Sequence, residues 1–192
     1  MKRKTTKDIL AESFREIAEK KSVDKITIKE ITDNCGYSTA TFYRQFRDKY
    51  DLIAWEYANG LEEVMSCIGS DYTWQSTLIY GARNFYEYRD YLSNLLLHTS
   101  GYDSFLQNMV EMNYSALKKY ILSAYGKEVI DKKTDMCIRI YCLGTVNLTC
   151  EWIMGKHEAT PEEIAEIYEN SVEKMAMASM ERMGLNYIDI YW

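Results

Sequence analysis

Residues 38–52, STATFYRQFRDKYDL, set hydrogen-bonding and cationic side chains at helical spacing. The planar fork of Arg44 matches the O6 and N7 acceptors of guanine, Ser38 and Thr39 can exchange hydrogen bonds with base edges, and Ala40 is small enough for close approach or for a thymine methyl. The hydroxyls of Thr41 and Tyr43, the amide of Gln45 and the ammonium of Lys49, near the start of the next helix, suit phosphate oxygens. Thr27 can donate to a phosphate as well as cap a helix. These groups suit the edges and backbone of a nucleic-acid duplex, and the KRK of residues 2–4 can extend the contact along the backbone or into a minor groove.

Such groups read a groove only if one face of a helix presents them while the opposite face is anchored. At 100° per residue Phe42 and Phe46 share one face and can pack on Leu10, Phe14, Ile28 and Ile31, which turns Thr39, Ala40, Tyr43 and Arg44 outward. The anchoring elements are legible. TTKDILAESFREIAEKK repeats Leu10, Phe14, Ile17 and Ala18 on one side and predicts a first helix. Thr27 with Glu30 forms a reciprocal cap for a second helix reaching Cys35, Gly36 permits the left-handed turn that ends it, and Ser38 caps a third over roughly residues 39–46. Three short helices with a tight glycine turn between the last two are the layout of a helix-turn-helix.

Charge divides along the chain in the same sense. The whole carries −6, but residues 1–50 hold 12 Lys and Arg against 8 Asp and Glu, while the remainder holds 11 against 21. A small basic module joined to a larger acidic one is the simplest account. Residues 1–50 are therefore expected to form the DNA-binding domain and residues 51–192 a separate, larger helical domain.

Enzymatic readings find no support. His98 and His157 stand in no metal spacing, and Cys35, Cys67, Cys137, Cys142 and Cys150 form no CxxC, so buried helical thiols are expected. No glycine-rich phosphate loop, nucleophile elbow or paired-carboxylate motif stands out, and neither metal nor cofactor is expected. No apolar run approaches the roughly 18 residues of a membrane span, and MKRKTTKDIL turns amphipathic at once, which predicts a cytoplasmic chain without membrane contact. A protein-interaction module that has lost DNA binding is a further class.

Beyond residue 50 the pattern stays helical. KYDLIAWEYANGLEEVMSCI continues as a long helix linking the two modules, and residues 73–125 form several aromatic helices broken at HTSGYDS, residues 98–104. Tyr86, Tyr88, Met112, Tyr141 and Asn147 are candidates to line a cavity with apolar walls and a few polar groups. Two long helices follow: residues 134–154, and one capped by Thr160, Pro161 and Glu163 that closes at Gly184. Their apolar stripes exceed what one internal face needs, so Ile138, Tyr141, Thr145, Leu148 and Trp152, with Ile167, Met175 and Met180, are expected at a four-helix dimer interface, where Gly144 permits close approach.

TIKEITDNCGYSTATFYRQFRDKYDLI resembles the DNA-binding segment of the tetracycline-repressor (TetR) family of bacterial regulators. Thr27, Ile31, Gly36, Ser38, Thr41, Tyr43, Phe46, Lys49 and Leu52 fall on the family's pattern; Cys35 stands where alanine is usual and Ala40 where glycine is frequent. The resemblance covers about residues 7–53, and NFYEYRDYLSNLL further on is similar to regulators of dihydroxyacetone-kinase operons. It implies an all-α homodimer of about nine helices per protomer, bound to double-stranded operator DNA and controlled by a small molecule or protein partner in the C-terminal domain. By the same resemblance, bases are met by Ser38, Thr39, Ala40, Tyr43 and Arg44, and phosphates by Thr27, Thr41, Tyr43, Gln45 and Lys49. A repressor is the first expectation; an activator would have the same head.

Overall fold

A computed structural model describes residues 4–66, 68, 73–101, 104–124, 126 and 128–171. Among these the chain is all helical in its regular elements. Helix α1 (Thr6–Ala18) is followed by a 3-10 turn (Val23–Lys25), α2 (Ile28–Cys35), α3 (Thr39–Gln45), α4 (Lys49–Ser66), α5 (Trp74–Glu87), α6 (Arg89–His98), α7 (Phe105–Ala124) and α8 (Lys132–Ile153). Residues 161–171 are helical again and are called α9. No described helix is long and apolar enough to cross a membrane.

Local chemistry sets the boundaries of the first three helices. Thr5 and Asp8 close a reciprocal capping box on α1, and Thr27 and Glu30 close one on α2. Gly36 stops α2 at φ 74°, a left-handed conformation that a side chain would strain. Ser38 then caps α3: the Thr41 N–H donates to its Oγ at 3.2 Å. Helix α4 starts on Asp48, whose Oδ1 accepts from the N–H groups of Tyr50 and Asp51 at 2.9 Å each.

The expected packing of the third helix is present. Phe42 and Phe46 are buried with Leu10, Phe14 and Ile31, Ile28 is packed beside them, and the Lys7 ammonium lies 5.0 Å from the Phe46 ring and 5.3 Å from that of Trp55. The core does not stop at the head. It runs on through Leu52 and Ile53 of α4 to Leu95, Phe105, Met109, Val146 and Trp152, so the expected division at residues 50 and 51 falls inside α4 and on continuous apolar packing.

Two further ties join the head to the rest. Asn94 of α6 donates through Nδ2 to the carbonyls of Ala18 and Lys21 at 2.7 and 2.9 Å, and its Oδ1 accepts from the Val23 N–H at 3.1 Å, which satisfies the orphan Ala18 carbonyl at the end of α1 and fixes the loop that follows. Arg15 of α1 pairs with Glu56 of α4. In the second half Asp131 caps α8, whose first residue, Lys132, lies two residues ahead of the expected start, and Thr160 with Glu163 caps α9.

Candidate functional site

Helix α3 shows two unlike faces. Phe42 is fully buried, whereas Tyr43 is 59% exposed, and Ser38, Thr39, Ala40 and Arg44 are exposed with it. Tyr43 is steadied by an edge-to-face contact with Phe42, centroids 5.8 Å apart, so its hydroxyl projects from a fixed ring. The Arg44 guanidinium lies back along its own helix, 3.3 Å from the Ala40 carbonyl and 3.4 Å from Thr41 Oγ1, long contacts that release it readily. Thr41 and Gln45 are half exposed. The base-reading set expected from the sequence therefore shares one open surface.

Two residues expected at phosphates are already hydrogen-bonded within the protein. Lys49 donates to the carbonyl oxygens of Val23, Asp24 and Ile26 at 2.8, 2.8 and 2.9 Å. Its three N–H bonds are thereby committed to closing the 3-10 turn against α4, and burial there lowers the ammonium below its ordinary pKa. Thr27 gives its single hydroxyl proton to Glu30 Oε2 at 2.8 Å, so the cap uses the donor that a phosphate would need. Lys2 and Arg3 lie outside the described residues, and Lys4 pairs with Glu12 at 2.7 Å.

A second site lies under the head. A cavity of about 380 Å³ opens among α4, α5, α6, α7 and α8, with Tyr168 of α9 and Arg15 of α1 also on its walls. Its surface is mainly apolar: Ile53, Leu61, Leu78, Phe85, Leu92, Leu95, Phe105, Met109 and Val146. Several of its polar side chains are paired with one another. Arg15 Nε donates to Glu56 Oε1 at 3.0 Å, and the Tyr91 hydroxyl donates to Glu56 Oε2 at 2.5 Å. Burial works against the Arg15 charge, but Glu56 outweighs it and raises the guanidinium above its ordinary pKa. Asn113 donates to the Tyr57 hydroxyl at 2.5 Å, and the hydroxyls of Thr149 and Tyr168 meet in a buried hydrogen bond.

Of the five liners expected from the sequence, Tyr88 and Tyr141 are on this wall, and three are not. Tyr86 turns outward and stacks on Trp152 at 5.8 Å, Asn147 is exposed and donates to its own helix at Leu143, and Met112 stands off the wall that Met109 and Asn113 occupy. Helical phase decides all three. The residues missed, Arg15, Glu56, Asn113 and Thr149, had a signal: each is polar at a position where the helix's apolar stripe continues, as Leu52, Ile53, Glu56, Tyr57 show on α4.

The expected dimer residues divide likewise. Ile138 is fully buried, and Trp152 is 5% exposed with Nε1 bonded to the Ala159 carbonyl, so both are internal core. Tyr141, Thr145, Leu148 and Ile167 border a groove between α8 and α9, flanked by the exposed Met136, Ile140 and Leu143. Met175 and Met180 lie outside the described residues. Cys142 and Cys150 are buried and Cys35 and Cys137 half-buried, while Cys67 is outside the description.

Residues 9–54 match the bacterial regulatory proteins of the tetR family, and residues 72–174 match a transcriptional regulator C-terminal region, with the α3 surface inside the first match and most of the cavity inside the second. The chain belongs to the tetR family. It is a DNA-binding transcriptional regulator. Over 74 residues it is 24% identical to the HTH-type dhaKLM operon transcriptional activator DhaS of Lactococcus lactis subsp. lactis (strain IL1403), a stretch that spans 38% of this chain and 40% of that protein. The fold is similar to that of a solved structure described as dihydroxyacetone kinase operon activator DhaS, TM-score 0.63 at 17% identity, covering 91% of this chain and 96% of that one. It is equally similar to a TetR transcriptional regulator from Rhodococcus sp. RHA1, TM-score 0.64 at 14% identity, covering 87% and 93%.

Proposed function

We propose that this TetR-family chain works as a homodimeric repressor whose operator affinity is set by an effector in the cavity between α4 and α8. Ser38, Thr39, Ala40, Tyr43 and Arg44 meet base edges, and Thr41, Tyr43, Gln45 and the N-terminus of α4 meet phosphates. The observation that carries this reading is the division of α3 between a buried Phe42 and a 59% exposed Tyr43 flanked by exposed polar side chains. A helix so anchored presents its outer face rigidly to a major groove.

Two copies are joined through α8 and α9, where Ile140 and Ile167 are 68% and 46% exposed on adjoining helices. In such a dimer the recognition helices must stand about 34–36 Å apart to enter successive major grooves. Arg15 belongs to the head and Glu56 and Tyr91 to the cavity wall, so a molecule that reshapes the wall shifts the head through that triad and through Asn94. An effector acts to the extent that it binds one spacing better than the other. The similarity to a dhaKLM operon activator favours a second reading, an activator with the same head and cavity.

The test is fluorescence anisotropy with DNA from the chain's own upstream region, in a salt series, beside Arg44→Ala and Tyr43→Phe. Sequence-selective binding whose logarithm falls linearly with log salt, and whose selectivity is lost in Arg44→Ala, is expected. Unchanged selectivity in Arg44→Ala removes α3 from the interface. Transcription in vitro from the bound promoter then distinguishes repressor from activator.

A further inference from the structure

Val23, in the turn between α1 and α2, is held from two sides. Its N–H donates to Asn94 Oδ1 on α6 at 3.1 Å, its carbonyl accepts from Lys49 Nζ on α4 at 2.8 Å, and its side chain is fully buried. Asn94 also donates to the carbonyls of Ala18 and Lys21, and Lys49 to those of Asp24 and Ile26. His98, one helical turn beyond Asn94, has Nδ1 3.4 Å from Asp24 Oδ1. The segment from Ala18 to Ile26 is thus fixed to α6 on one side and to α4 on the other.

The contact is keyed. A side-chain amide has two N–H donors and a carbonyl acceptor, and Asn94 meets two carbonyls and one N–H, a set that only one orientation of the amide satisfies. The neighbouring ring contact of Tyr91 with Phe14, centroids 6.2 Å apart, is apolar and tolerates sliding; hydrogen bonds weaken steeply when misaligned. Lys49, Leu52 and Ile53 bind the start of α4 to the head, whereas α6 packs with the body, and Tyr91, Leu92 and Leu95 on either side of Asn94 are on the cavity wall. Asn94 therefore refers the head to the helix that borders the cavity.

We propose that Asn94 is a positioning residue for operator binding: keyed to Ala18, Lys21 and Val23, it fixes the tilt of the head against α6 and so the separation at which two heads meet DNA. This rests on the reading of the chain as a dimer that grips two half-sites, and names a residue that sets their spacing.

Half-site spacing is the readout. Half-sites one helical turn apart stand about 34–36 Å from each other, so one base pair more or less moves a half-site by about 3.4 Å and turns it by about 35°. An operator is recovered by selection of random duplexes on the parent protein. Affinities are then measured by anisotropy on that operator, on versions with the half-sites one base pair closer and one farther, and on a duplex carrying a single half-site. The parent is expected to bind the shifted operators at least about tenfold more weakly. Asn94→Ala, which removes all three bonds, should bind the selected operator about tenfold more weakly, because the loosened head must be ordered on binding, and the penalty for a shifted spacing should shrink to about threefold or less. Its affinity for the single half-site should stay within about twofold of the parent, which also shows that the recognition helix is folded. Asn94→Asp keeps the acceptor for Val23 and loses both donors, and should fall between the two. Arg44→Ala, a change on the base-facing surface, should instead weaken the half-site and all three operators together. A spacing penalty that survives in both Asn94 variants overturns the inference, as does half-site affinity that falls in step with operator affinity, which would assign Asn94 to the folding of the head alone. A parent indifferent to spacing defeats the two-headed reading itself, and the inference with it.

Discussion

Lys49→Met separates a scaffolding lysine from a DNA-contacting one. Methionine keeps the length and apolar stem of lysine and removes the three donors that reach Val23, Asp24 and Ile26 at 2.8–2.9 Å. Hydrogen bonds from a charged donor contribute about 1.5–3 kcal/mol each, and half exposure places these at the lower end. Freeing the side chain returns up to about 2 kcal/mol of rotamer entropy. The net expected loss is about 2 kcal/mol, which for a chain of this size lowers the melting temperature by roughly 4–8 °C at fixed protein concentration. The slope of log affinity against log salt should stay within about 0.5 of the parent, because no phosphate contact is lost. A lysine on a phosphate behaves in the opposite way: melting is unchanged and the slope weakens by about 0.9 per protomer, or roughly 1.8 for a dimer on its operator. Thermal melting by circular dichroism and an anisotropy salt series decide between them. Unchanged melting with a shallower slope refutes the assignment of Lys49 to the 3-10 turn.

Three further outcomes follow from the same geometry. The Lys21 ammonium, then the Thr27 N–H and hydroxyl, lower the Glu30 carboxyl to about 2 from 4.5, so its contribution is complete above about pH 4.5 and is lost as pH falls toward 2; Glu30→Gln should flatten the urea-midpoint profile over that window, and an unaltered profile contradicts the cap. Burial pushes the Cys142 thiol up to about 12 and Cys150 up to about 11, so iodoacetamide at pH 8 should label neither in the native protein and both in urea, as read by peptide mass spectrometry. Ile140→Glu places a charge on the exposed stripe of α8 and should yield monomers in sedimentation velocity with helix content retained and operator affinity greatly reduced; a persistent dimer moves the interface elsewhere.

The head was legible because its signals are local. Thr27 with Glu30, the left-handed Gly36 and the Ser38 cap each act within four residues, so spacing alone fixed where α2 ended and α3 began. The outward direction of Tyr43 and Arg44 followed from the period of one short helix anchored by Phe42 and Phe46. Apolar period placed α4 and α8 equally well, and the start of α8 shifted by only two residues, toward an Asp131 cap; the expected close of the last helix at Gly184 lies outside the described residues.

What the sequence determined by itself was therefore the all-helical class, the helix-turn-helix and its open face, each written in caps and periods shorter than two turns. Tertiary packing alone decided which helices meet. Lys49 looked available because the carbonyls that hold it lie 23 to 26 residues away. Arg15 and Glu56 are 41 residues apart, and the cavity beside them exists only because α4, α5, α6, α7 and α8 close around it. Hydrogen bonds and cavities of that kind depend on how separate helices rotate against one another, and rotation is set by the sum of many small contacts across the core, a sum that no local stretch of sequence contains.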